Sequence, residues 1–273
     1  EVYNQADIQS RLKTKWVAHP LQFFDSIDST NIRAKLEAEQ GAESGLLVVS
    51  DMQSAGRGRR GRGWESPAGT NIYYTLMLKP DFSSDCAPML TLVMALAVAK
   101  GIRQTLRRDS EEAAAKVGIK WPNDIVVDGK KVCGILTEMS MEQGYIQHIV
   151  IGVGINVRKQ EFPEEIRDRA AAIDEQCGFR ISRSQLIADI MEAFEEDYEI
   201  FLRTHDLKGL RASYAELLVN QDREVCVLDP KGEYRGIARG INDQGELLVE
   251  RQDGTVEEVY AGEVSVRGIY GYV

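Results

Sequence analysis

The sequence predicts a larger domain of mixed helices and strands, followed by a small all-β domain. Three observations predict it. Apolar runs of strand character, Leu46 to Val49 and Asn71 to Lys79, flank a glycine- and arginine-rich loop. Helical spacing of apolar residues then extends over 88–106 and 186–202. From about Asn220 the texture changes to short strands separated by turn residues.

Taken in order, residues 1–20 are polar, with Ile8, Leu12 and Trp16 at helical spacing, which predicts one or two helical turns. Leu21 to Ile27 reads as a strand. Asp28-Ser29-Thr30-Asn31 reads as a helix start, because these side chains cap free amides, and the helix runs to about Gln40 and stops at Gly41. Hydroxyls and open amides at such a helix start also suit a polar ligand group, and the residues alone leave both readings open.

The loop Gln53 to Trp64 alternates four arginines with four glycines in a chain whose formal net charge is −10. Glycine lets the backbone approach a ligand closely, and the arginine fork matches phosphate or carboxylate oxygens. The expectation is an anion-binding loop, mobile when empty and ordered when filled, with Trp64 offering a flat face to a ring. Gly56-x-Gly58-x-x-Gly61 formally matches a dinucleotide fingerprint, with Asp81 at the spacing of its ribose-binding acid. That fingerprint must open a helix, whereas a turn at Pro67 to Gly69 and a second strand follow here. A disordered RGG-type segment would repeat over a long tract, and this run is one insert between strands.

Pro88 opens an alanine-rich helix whose apolar residues nearly encircle it, as in a buried central helix. Lys116 to Lys120 reads as a strand leading to Lys120-Trp121-Pro122-Asn123-Asp124. Ile125 to Val127, a turn at Asp128-Gly129, and Lys130 to Leu136 give the strongest hairpin signal in the chain. Tyr145 to Val157 follows as a strand whose Gly152 and Gly154 suggest close backbone approach to a ligand. Ser182-x-x-Gln185 is a capping box stapled by Ile181 and Leu186. Five short strands after residue 220 suggest an SH3-like barrel. The expected division is a linker over 1–20, a ligand-binding domain over 21–219 and the barrel over 220–273.

Acidic net charge argues against bulk binding to nucleic acid or anionic membrane. The longest apolar run, Met89 to Ala99, is short of the roughly 20 residues of a membrane span. Cys86, Cys133, Cys177 and Cys226 stand far apart and form no CxxC pair, which fits a reducing cytoplasm, and His19, His148 and His205 share no metal-binding spacing.

Asp28-Ser-Thr-Asn31, Gln53 to Trp64, Lys120 to Asp124, Lys131 to Leu136 and Gly152 to Asn156, in that order, resemble the biotin protein ligase (biotin-[acetyl-CoA-carboxylase] ligase) family. The resemblance covers the chain from about residue 20. It implies an α+β fold with a mixed sheet and a reaction in two steps. Biotin and ATP, accompanied by Mg²⁺, give biotinyl-5′-AMP and pyrophosphate; the biotinyl group then passes to one lysine of a biotin carboxyl carrier domain. It implies that Ser29, Thr30, Asn31, Gln53 and Gly134 contact biotin, and that Arg57, Gly58 and Arg59 close over its carboxyl end and the phosphate. Arg60, Asn123 and Asn156 would serve the nucleotide, with Trp64 stacked on adenine. Lys131 would bridge the carboxyl and phosphate oxygens, and Asp124 would orient or deprotonate the acceptor lysine. A homodimer is compatible with it; a metal cage, a membrane and a nucleic-acid partner are not expected. The family's repressor members carry an N-terminal DNA-binding domain, for which residues 1–20 are too few, so the expectation is a ligase-only form or one from which that domain was removed. Two alternatives are a lipoyl or octanoyl transferase, for which Cys133 is the candidate nucleophile, and a biotin-sensing or nucleic-acid-binding regulator without ATP turnover.

Overall fold

The structure is a computed structural model; it describes residues 1–261, 264–269 and 271–273, and of Arg60 the backbone alone. The chain opens with α1 (Gln5–Arg11), β1 (Leu21–Phe24), α2 (Thr30–Glu39) and β2 (Leu47–Ser50), then the arginine loop and β3 (Ile72–Leu78). Next come α3 (Met89–Arg107), α4 (Glu111–Ala115), β4 (Val117–Lys120), β5 (Asp124–Val127), β6 (Lys130–Glu142) and β7 (Tyr145–Ile155). Three helices, α5 (Ile173–Cys177), α6 (Arg183–Thr204) and α7 (Arg211–Leu217), lead to β8 (Glu224–Leu228), β9 (Tyr234–Ile241), β10 (Leu247–Glu250), β11 (Val256–Val259) and β12 (Ser265–Gly268).

The first seven strands form one sheet in the order β1-β2-β3-β7-β6-β5-β4. The β1/β2 pair is parallel and the others are antiparallel, so the sheet is mixed. Every residue of β3 is buried, as a central strand covered on both faces requires. The β5–β6 turn places Asp128 at φ 52° and Gly129 at φ 75°, the pair of positive values that a two-residue hairpin of matching twist needs.

One face of the sheet is covered by α3, which packs in turn on α6. A Cβ on Gly101 would lie 2.9 Å from the Ile190 backbone, so glycine sets this close helix crossing. The stretch Ser84–Arg107 is long and apolar enough to cross a membrane, but 72% of its most apolar window is buried inside the fold. An uninterrupted apolar run of the sequence understates this helix, because Lys100 and Arg103 lie within it and turn their charges to Asp197 and to the Ala114 carbonyl.

Two helix termini differ from expectation. Helix α1 ends at Arg11 without reaching Trp16, because the Glu195 carboxylate on α6 accepts from the amides of Lys15, Trp16 and Val17 at 2.9–3.0 Å and holds that segment in a non-helical bend and turn. At α6 the Ser182 hydroxyl accepts from the Gln185 amide at 3.2 Å, but the Gln185 side chain turns to Asp189, so half of the capping box is made.

The last five strands form an antiparallel sheet in the order β11-β10-β9-β8-β12. Its β9–β10 turn docks on the larger domain. Gly245, at φ 84°, accepts from the Trp121 indole at 2.9 Å, and any side chain there would strike Leu92. From α7, the Tyr214 hydroxyl donates to the Pro122 carbonyl at 2.9 Å. The Lys120 to Asp124 turn is therefore gripped from two sides, and the residues that shape it, Trp121 and Pro122, act as anchors.

Candidate active site

Strand alternation puts Tyr73 and Thr75, Gly152 and Gly154, and Gly134, Leu136 and Glu138 on the face of the sheet opposite α3. Gly154 stands between Tyr73 and Gly134 in register, and Gly152 between Thr75 and Leu136. The result is a flat floor. The indole of Trp64 lies on it: a Cβ on Gly134 would come 2.8 Å from Trp64 Cζ3, and one on Gly154 would strike the pyrrole edge of the same ring. Gly152 leaves the same room for Asn31, whose Cγ would be 2.8 Å from an added Cβ. The Trp64 Nε1 hydrogen is buried without an acceptor, a donor whose burial costs about 1–3 kcal/mol until something accepts it.

The arginine loop is a tight hairpin. Gly58 donates to the Arg62 carbonyl at 2.7 Å and Trp64 to the Gly56 carbonyl at 3.0 Å, with a 3₁₀ turn at Arg59–Gly61 and Gly61 at φ 73°. No helix follows it, so the phosphate-cradling geometry of a dinucleotide fold is absent. The roots of the loop are tied to the Asp28 region, where Ser54 and Ala55 donate to the carbonyls of Ile27 and Asp28 at 2.9 and 2.8 Å. At its tip, Arg59 Nη1 donates to Asn123 Oδ1 at 3.1 Å. The loop thus carries a closing contact of its own, which its glycine content did not suggest. Arg57 is half-exposed, 3.9 Å from Glu138 Oε1. The side chain of Arg60, expected at the nucleotide, lies outside the described residues.

Ser29, Thr30 and Asn31 are all buried at the start of α2. Ser29 is the N-cap residue, yet its hydroxyl makes no cap hydrogen bond; Gln53 Oε1 instead accepts from the Thr30 amide at 2.9 Å and from the Thr30 hydroxyl at 3.1 Å. Capping at this helix is done from the loop. Gln53 Nε2 donates to Ser66 Oγ at 3.0 Å, so the carbonyl and one of the two amide hydrogens are engaged within the protein. Asn31 donates to Glu138 Oε2 at 2.9 Å and accepts from the Thr75 hydroxyl at 2.5 Å, and Lys35 stands 2.9 Å from the same Glu138 oxygen. Burial pushes the Glu138 carboxyl up, but Lys35, Asn31 and Arg57 outweigh it and hold the group below its ordinary range.

A charge cluster closes the other end of the floor. Lys131 Nζ is 2.9 Å from Asp124 Oδ1, and the Tyr272 hydroxyl donates to Asp124 Oδ2 at 2.5 Å. Lys120 Nζ lies 4.4 Å above the Tyr272 ring. Burial works against ionisation of Asp124, but Lys131, the Tyr272 hydrogen bond and Lys120 prevail and hold the carboxyl below the usual aspartate range. Burial lowers Lys120, the more so because Lys131, Arg267 and Arg59 are within electrostatic reach; Asp124 opposes them. Lys131 is fixed by its backbone, which donates to the Arg169 carbonyl at 2.7 Å and accepts from the Ala171 amide at 2.9 Å. Asn123 donates to the Ile135 carbonyl at 3.1 Å, and Asn156, buried at the end of β7, is held by its amide on the Val132 carbonyl at 2.7 Å. Cys133 points to the opposite face, wholly buried, with its thiol pushed well up by burial, which makes it a packing residue.

The structure therefore gathers the sequence-expected residues into two groups, Ser29, Thr30, Asn31, Gln53 and Arg57 at one end and Arg59, Asn123, Asp124 and Lys131 at the other, with Gly134 and Trp64 between. It adds four that were not expected. Glu138 lies two residues past Leu136 on the same face, and Thr75 is the one aliphatic hydroxyl in β3; both carried a readable signal. Ser66 and Tyr272 carried none.

The geometry defines a class before it defines a protein: a mixed sheet with a glycine floor, an arginine hairpin over it and a lysine–aspartate pair at its end. Residues 23–156 match the profile of the Biotin/lipoate A/B protein ligase family, and residues 222–267 that of the biotin protein ligase C-terminal domain. The bifunctional ligase/repressor BirA of Bacillus spizizenii is 36% identical over 267 residues, 96% of this chain and 79% of that protein. The biotin--[acetyl-CoA-carboxylase] ligase of Paracoccus denitrificans is 30% identical, over 86% of this chain and 98% of that one. The solved structure of the biotin protein ligase of Aquifex aeolicus in complex with biotin and ATP superposes with a TM-score of 0.73 at 29% identity, covering 91% of this chain and 98% of that one. The chain belongs to the biotin protein ligase family.

Proposed function

We propose that this chain is a biotin-[acetyl-CoA-carboxylase] ligase, which activates biotin as biotinyl-5′-AMP and transfers it to one lysine of a biotin carboxyl carrier domain. The observation that carries the reading is the convergence of Lys131 and Lys120 on Asp124, with Arg59 bonded to the adjacent Asn123, at one end of the glycine floor, a local positive site on a chain of net charge −10. In the first step a carboxylate oxygen of biotin attacks the α-phosphorus of ATP, and the bond to the bridging oxygen breaks as pyrophosphate leaves with the electron pair. Two anions must meet, so fixed cations lower the barrier by offsetting both the ground-state repulsion and the charge built in the transition state. Lys131 and Arg59 supply them. Arg57, Gly58 and Arg59 close the hairpin over the carboxyl and phosphate, and Arg60 serves the nucleotide.

Ser29, Thr30, Asn31, Gln53 and Gly134 take the biotin end. The Gln53 amide is engaged with Thr30 and Ser66, so Gln53 serves biotin mainly by fixing the Thr30 hydroxyl. Asn123 and Asn156 hold the nucleotide. Trp64 stacks on adenine, while its Nε1 edge stays buried against Gly154. ATP enters as its Mg²⁺ complex, with the ion carried on the phosphates.

In the second step the acceptor lysine, as free amine, attacks the carbonyl carbon of the mixed anhydride; the amide forms, AMP departs with the C–O electron pair, and the nitrogen's proton passes to solvent. A carboxylate held below its ordinary range is a weak base, so Asp124 draws in and orients the amine. Asp124→Asn is accordingly expected to slow single-turnover transfer from preformed adenylate by about a hundredfold, with a much smaller loss in adenylate formation. Equal losses in both would place Asp124 in ATP binding.

The division into residues 1–20, 21–219 and 220–273, supported by the separate sheets, and a cytoplasmic location, supported by the bacterial relatives, belong to the same reading, as does a homodimer. The test of the reading is pyrophosphate release, which must require biotin and ATP together. Release with ATP alone would make the chain a phosphohydrolase.

A further inference from the structure

Tyr272 comes from the segment after the second sheet, 148 residues from Asp124, yet its hydroxyl donates to Asp124 Oδ2 at 2.5 Å. The segment is built to reach that point. A Cβ on Gly268 would strike the Val273 carbonyl, and one on Gly129 would lie 3.2 Å from Val273 Cγ2, so the end of the second domain is seated between β12 and the β5–β6 turn. The ring is held from above by Lys120 Nζ, 4.4 Å from its centroid. Asp124 is thus held at both oxygens, by Lys131 at Oδ1 and Tyr272 at Oδ2, one partner from each domain.

We propose that Tyr272 is a positioning residue for the transfer step: with Lys131 it fixes the plane of the Asp124 carboxylate, so that the remaining lone pairs face the incoming lysine amine. The second domain then contributes to the acceptor site as well as to the fold. This inference rests on the proposed function, through the role of Asp124 in transfer. Tyr272 acts only through Asp124, touches neither reacting atom, and has no part in adenylate formation.

Tyr272→Phe keeps the ring, and with it the contact to Lys120 that seats the segment. The measurement is single-turnover transfer from preformed adenylate against carrier concentration, in the wild-type and Asp124→Asn backgrounds. The saturating rate should fall about tenfold, the lower end for one hydrogen bond to a charged group, with the half-saturating carrier concentration and the rate of adenylate formation unchanged. In the Asp124→Asn background the same substitution should cost nothing further, since its effect passes through that carboxylate. An unchanged saturating rate, a loss that multiplies with that of Asp124→Asn, or a loss confined to the half-saturating concentration would overturn the proposal. Failure of the proposed function itself is seen separately, as wild-type protein that does not transfer at all.

Discussion

Lys131→Ala is expected to slow adenylate formation by about 10²- to 10³-fold, the equivalent of about 2.7–4 kcal/mol for one preorganised charge-stabilising contact. The substitution leaves the fold in place. The strand position of Lys131 is set by its backbone, through Arg169 and Ala171, and its ammonium is about a third exposed. Asp124 loses its first partner but keeps the Tyr272 hydroxyl and the nearby Lys120, so the buried carboxylate is not stranded. The measurement is the presteady-state rate of pyrophosphate release at saturating biotin and ATP, with circular dichroism to show the fold retained. Release at the wild-type rate would remove Lys131 from the chemistry.

The second large effect is expected at Arg59. Biotinyl-5′-AMP is a mixed anhydride that acylates any accessible amine, so the protein must enclose it until the carrier docks. In the structure Arg59 ties the hairpin tip to Asn123, and in the function proposed above its guanidinium also faces the phosphate. Arg59→Gly removes both contacts and adds a glycine to a segment that already has four. Loss of a hydrogen bond to a charged group, about 1.5–3 kcal/mol, raises the escape rate of the intermediate by about ten- to a hundredfold. Wild type and variant should therefore be compared for biotin incorporation into albumin at equal adenylate production. Adenylate itself forms more slowly in the variant, since Arg59 also offsets charge in the first step; a variant that labels albumin no faster than wild type at equal adenylate contradicts the gating role.

Much of this was legible in the sequence where the controlling chemistry is local. Asp128-Gly129 specifies its hairpin because two positive φ values are required there. The glycines of β6 and β7 announce close approach, though not that Trp64 and Asn31 of the same chain are the groups that approach. The arginine loop was readable as a cationic, glycine-rich insert between two strands from its composition alone. What joins it to the lysine–aspartate pair, the Arg59–Asn123 contact across 64 residues, follows from the sheet order, in which β3 and β6 flank β7. No local rule gives that.

The misses have the same cause. Ser29 has the side chain of a cap but makes no cap hydrogen bond, and the first amide of the helix, that of Thr30, is met by Gln53 from the arginine loop. Helix α1 stops short because Glu195 competes for the following amides from 180 residues away. Tyr272 is an ordinary tyrosine until the second domain sets it on Asp124. Each is a tertiary contact overriding a local preference.

The most direct test of the central claim combines the chain with biotin, ATP and Mg²⁺ and a biotin carboxyl carrier domain, and reads the carrier by intact mass and peptide sequencing. The account predicts one biotinyl group on one lysine, formed only when biotin and ATP are both present. A carrier that stays unmodified while a lipoyl or octanoyl carrier is acylated instead, or a protein that binds biotin and modifies no carrier, would contradict it.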